Sequence, residues 1–81
     1  MNIAQLITKD IKTGRTVRAG SNGAWRAVQV ADNRREIWHY AALMAIADGN
    51  TLVQVSGGWG SVSDKAGMRK LAAAAGSFQG L

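Results

Sequence analysis

The sequence predicts an α+β domain: a small antiparallel sheet of about three strands with an N-terminal and a C-terminal helix packed on it. Three observations carry this expectation. Ile3, Leu6, Ile7 and Ile11 recur at helical spacing near the start. Asp48-Gly49-Asn50, followed by the β-prone Thr51-Leu52-Val53-Gln54-Val55, is a hairpin signal. An alanine-rich stretch near the end places Met68, Leu71, Ala72 and Ala75 on one helical face.

Each element follows from local chemistry. Residues 2 to 12 read as an amphipathic helix, with Asn2 able to cap it and Gly14 able to end it. Arg15-Thr16-Val17-Arg18 has short β character, and Gly20-Ser21-Asn22-Gly23 reads as a turn. Trp25 to Ala31 reads as a strand closed by Asp32-Asn33. Residues 36 to 47 are ambiguous, because four alanines with Leu43 and Met44 favour a helix by propensity. Trp38, Tyr40, Met44 and Ile46 nevertheless share one parity, and a hairpin at Asp48 requires a strand before it, so the segment is read as strand. A last helix is expected from about Ser63 to Ala75, with Lys65 and Arg69 one turn apart on its outer side. Gly76 would end it, leaving a frayed tail at about 77 to 81. The whole chain, 1 to 81, reads as one domain without internal repeats.

An apolar share of 47% is enough to build a core and too high for a disordered chain, although much of it is alanine. No cysteine is present, which excludes disulfide staples and thiolate metal sites. No long apolar run or signal-like start is seen, so the expectation is a cytoplasmic protein with no membrane partner.

Charge is the strongest functional signal. Lys9, Lys12, Arg15, Arg18, Arg26, Arg34 and Arg35 face only Asp10 and Asp32 within residues 9 to 35, so this window holds the entire net charge of +5. Such a concentration attracts nucleic acid or an acidic protein surface, though a small protein also keeps net charge for solubility. Arg15, Arg18, Arg26, Arg34 and Arg35, with Trp25 as an exposed aromatic anchor, are therefore the candidate partner- or nucleic-acid-binding residues. Trp38 is expected in the core.

Catalytic chemistry is thin. The single histidine, His39, lies between Trp38 and Tyr40 and reads as a packing or hydrogen-bonding residue. Asp64 suits the first turn of the last helix, where negative charge meets the dipole. No spacing points to a metal or cofactor, and Gly57-Gly58-Trp59-Gly60 lacks both phosphate-loop fingerprints. The expectation is a non-enzymatic protein with no catalytic residues, metal or cofactor. Apolar side chains on both parities of residues 37 to 47 raise a homodimer, which would bury the second face.

The order Ser56-Gly57-Gly58-Trp59-Gly60-Ser61-Val62-Ser63-Asp64-Lys65, with Met68-Arg69 beyond it, resembles a family of small uncharacterised domains encoded by phages and prophages. Those domains carry a strand, a Gly-Gly-Trp turn, Thr/Ser-rich residues, Lys and a Met/Ile-Arg/Asn pair opening the last helix. His39-Tyr40, Ile46, Asp48-Gly49, Leu52 and Val55 extend the likeness, which spans residues 36 to 71. Gly60, Asp64 and Gly67 depart from the pattern. The resemblance implies a structural role for Gly57, Gly58 and Trp59, with a glycine at positive φ in the turn between strand and helix. It also implies a phage or mobile-element accessory protein acting in the host cytoplasm by binding. The leading expectation is an inhibitor, anti-CRISPR-like, of a host defence or nucleic-acid-processing complex; the alternative is direct nucleic-acid binding through residues 9 to 35. DNA mimicry is disfavoured, because a mimic must be acidic and this chain is basic.

Overall fold

Alternation of burial along the middle of the chain sets the architecture. The computed structural model describes residues 2–48, 51–55, 62–75 and 79–80. Within them β1 (Thr16–Ala19), β2 (Trp25–Ala31), β3 (Arg34–His39), β4 (Ala42–Asp48) and β5 (Thr51–Gln54) form an antiparallel meander, each strand beside its sequence neighbour. The two-residue β6 (Gln79–Gly80) lies parallel to β5. Two helices, α1 (Gln5–Thr8) and α2 (Val62–Ala75), complete the fold. The antiparallel sheet thus has five strands rather than about three.

One of the two extra strands is β1, where only short β character was read, and the other comes from a turn that carries no sequence signal. His39 pairs with Ala42, so Tyr40 and Ala41 form a two-residue hairpin loop between β3 and β4. Such loops need a left-handed residue, usually glycine or asparagine. Here that conformation falls on Tyr40, at φ 53. The stretch from 36 to 47 is therefore two strands and a turn, not one strand, and the hairpin at residue 48 is the second of two. Asp48 pairs with Thr51 at the end of β4 and the start of β5; Gly49 and Asn50 lie outside the described residues. Met44 is the unpaired extra residue of a bulge opposite Ile37 and Trp38, and its side chain is fully buried.

Pairing register then sorts the side chains. Trp25, Ala27 and Gln29 of β2 lie opposite His39, Ile37 and Arg35 of β3, all on one face. Both helices cover that face: Leu6 of α1 with Ile3 just before it, and Met68 and Leu71 of α2, join Trp25, Ala27, Ile37, Ala45 and Leu52 in a single core. The inward positions of α2 are Asp64, Gly67, Met68 and Leu71, a spacing of three and four residues. Trp25 is 2% exposed, so it is a core residue and not the exposed anchor expected from its basic neighbourhood. Alternation explains the correction: Trp25 shares its parity with Ala27, and Arg26 takes the other face.

α1 is one turn long, shorter than the expected span of 2 to 12. Asn2 and Gln5 cap its start reciprocally, side chain to backbone in both directions, at 2.8 and 3.1 Å. Lys9 then leaves helical geometry at ψ 137. Arg35 holds the freed carbonyls: its Nη1 donates to the oxygens of Leu6, Ile7 and Lys9 at 2.7, 3.2 and 3.0 Å. Its Nε donates to the buried Gln29 at 2.8 Å. Burial lowers the Arg35 pKa, with Asp10 opposing the shift, and the guanidinium stays protonated. Arg35 is thus a structural clamp on the helix-covered face, which removes it from the candidate binding residues. Arg35→Ala should lower the unfolding free energy in urea by about 1–2 kcal/mol, since several carbonyls lose their donor together. A change below about 0.5 kcal/mol, typical of a plain surface substitution, would show the clamp to be dispensable.

Candidate functional site

The opposite face of the sheet has no described element on it, because both helices pack on the Trp25 side. Its side chains follow from the register. One row runs Arg18, Arg26, Trp38, Leu43 across β1 to β4. The next runs Thr16, Val28, Glu36, Ile46, Val53 across β1 to β5. Arg34 and Asp48 sit opposite one another toward the far end. The face therefore has an aliphatic centre of Val28, Leu43, Ile46 and Val53, all partly exposed, with arginines at its margin.

Local bonds position these groups. The Arg26 guanidinium lies 4.9 Å from the centre of the Trp38 ring, a cation–π contact. Its Nη1 also donates to the Tyr40 carbonyl at 2.6 Å. Arg18 Nη1 donates to the Gly23 carbonyl at 3.4 Å. A side chain at Gly23 would press on the Arg18 stem, its Cβ lying 3.3 Å from Cδ, so the bare glycine gives that stem its seat. Trp38 Nε1 donates to Glu36 at 3.3 Å.

The structure gathers some of the candidates from the sequence and separates others. Arg18, Arg26 and Arg34 share the open face. Arg15 is exposed just before β1, where its carbonyl accepts a bond from Gln29. Arg35 and Trp25 point to the core side. Gly57, Gly58 and Trp59 lie outside the described residues. Trp38 is the correction in the other direction: it is partly exposed on the open face, not in the core. Leu43, Ile46, Val28 and Val53 were missed as surface candidates. Leu43 and Ile46 have opposite parity in the sequence, and only the bulge at Met44 brings them to one face, so alternation alone could not have found them.

Two other places have polar side chains in close company. His39 and Asp64 are hydrogen-bonded through Nδ1 and Oδ1, at 2% and 1% exposure, and the His39 ring is stacked on Trp25 at 4.3 Å. This pair is sealed between β3 and α2. A groove of about 330 Å³ between α2 and β5 is lined by Gln54, Lys65, Met68, Arg69 and Ala72. Among the described residues no His, Cys, Asp and Glu cluster could hold a metal ion. No described helix is long and apolar enough to cross a membrane. Comparison with protein-family models, with curated proteins and with solved structures finds no match for this chain.

Proposed function

We propose that this chain is a non-enzymatic accessory protein of a phage or mobile element, acting in the host cytoplasm by docking a protein partner on the open face of its sheet. An inhibitor of a host defence or nucleic-acid-processing complex is the role that this reading and the phage-family resemblance jointly favour. The observation carrying it is the anatomy of the face: an aliphatic centre with a charged margin, as protein interfaces are built. Single-stranded nucleic acid instead favours a platform of open aromatic rings. Trp38 is the only ring on this face among the described residues, and its own Arg26 already covers it. The alternative use of residues 9 to 35 as a nucleic-acid strip is weakened, since Arg35 and Trp25 turn inward.

The test is a reconstituted complex. A partner captured from nuclease-treated host lysate is identified, purified and titrated against wild type, Leu43→Glu and Ile46→Glu. Either glutamate should weaken binding by about tenfold or more while the thermal midpoint stays near that of wild type. Unchanged affinity in both variants overturns the reading. So does micromolar oligonucleotide binding that is lost on replacing Arg18, Arg26 and Arg34 together.

A further inference from the structure

We infer that Arg18 and Arg26 form a preset receptor for carboxylates of an acidic protein segment whose apolar side chains cover the centre of the face; this rests on the docking reading above. The two arginines are direct cross-strand partners in β1 and β2. Like charges so placed destabilise a sheet. No described acidic side chain forms an ion pair with either; among the described residues the sole ion pair is His39 with Asp64.

What holds them is backbone. Arg18 is held by the Gly23 carbonyl and Arg26 by the Tyr40 carbonyl, with Trp38 beneath its guanidinium. A carbonyl fixes a guanidinium in place and leaves its full positive charge unspent. The Tyr40 contribution comes from a backbone conformation unfavourable for a tyrosine, at φ 53. Two cations on cross-strand partners, each held by a carbonyl and neither paired with a described carboxylate, match an anion that offers several oxygens. The neighbouring groups along the same row and the next are Trp38, Leu43, Val28 and Ile46. A ligand must therefore present apolar surface within a side chain's length of its carboxylates. An acidic and apolar protein segment meets both demands at once; a nucleic-acid backbone meets only the first.

The experiment uses the full chain and a peptide of repeated Glu-Leu pairs as the probe, with the Gln-Leu peptide and oligothymidylate as controls. Nitrogen-detected NMR of the arginine side chains should show the Arg18 and Arg26 Nε signals moving with the Glu-Leu peptide. The Gln-Leu peptide should bind at least about tenfold more weakly. Arg18→Glu should abolish the peptide-induced shift at Arg26. The same substitution should raise the thermal midpoint by a few degrees, because it replaces a like-charged cross-strand pair with an opposite one. Binding lost in Leu43→Glu but kept in Arg18→Glu would overturn the receptor and leave the docking face standing. Binding kept in both variants would overturn receptor and face together. Tighter binding of oligothymidylate than of the Glu-Leu peptide would assign the arginine pair to nucleic acid, against this inference.

Discussion

Gly67→Ala should destabilise the fold by about 3 kcal/mol, the upper range for forcing extra atoms into a packed core. Helix propensity alone predicts the reverse: alanine in a helix interior is better than glycine by about 1 kcal/mol. The tertiary contact decides the sign. A Cβ on Gly67 would lie 2.0 Å from Cζ2 of Trp25, 2.5 Å from Cε2 and 2.7 Å from Cη2. Trp25 has little room to yield, because its other surfaces meet the stacked His39 ring and the Gly20 backbone. Equilibrium urea unfolding, followed by near-UV circular dichroism, measures both the loss and the displaced indole. Trp25→Phe removes the ring atoms that clash, so the Gly67→Ala/Trp25→Phe pair should lose less than the sum of the single changes. Additive losses, or a stabilised Gly67→Ala, would show that α2 sits farther from β2 than described.

Asp64→Ala should cost about 3 kcal/mol, where the loss from an unsatisfied buried donor meets that from a broken buried pair. Among the described residues the His39 ring would then lack a partner at both nitrogens, since its buried Nε2 has none there already. Asp64→Asn retains an oxygen toward Nδ1 and should lose less. Replacing both residues with apolar ones, as in His39→Phe/Asp64→Leu, removes the polar atoms together and should recover much of the single-variant loss. Urea unfolding of these variants, together with His39→Phe and Asp64→Leu singly, gives the coupling by a double-mutant cycle. If the double variant is as unstable as the sum of the singles, the pair is not an energetic unit.

Both effects lie on residues that the sequence marks only faintly. Gly67 reads as a flaw inside a helix, and His39 and Asp64 are separated by 25 positions. Periodicity sees which face of an element is apolar. It does not see which glycine another element's indole requires, nor that a histidine on β3 will meet the first turn of α2.

The strands divide the same way. Trp25 to Ala31 was legible as a strand, and Arg15 to Arg18 only as short β character, because their β-prone residues end at recognisable turns. The β4–β5 hairpin was legible in Asp48-Gly49-Asn50. The β3–β4 hairpin was not, because its turn rests on Tyr40, a residue whose local preference opposes the conformation it adopts. Arg35 looked like one more member of a basic cluster; only the fold brings the carbonyls of α1 within its reach.

By itself, then, the sequence indicated a helix near each end and the position of most strands, since these depend on spacing and turn chemistry within a few residues, but its antiparallel sheet of about three strands is overturned by the five that form. It also determined that positive charge gathers between residues 9 and 35. Tertiary structure decided the number of strands, the inward turn of Trp25 and Arg35, and the outward turn of Trp38 with Arg18, Arg26 and Arg34. The physical reason is parity. A single unrecognised turn or bulge reverses every side chain beyond it between core and surface, and only cross-strand pairing says where that reversal falls.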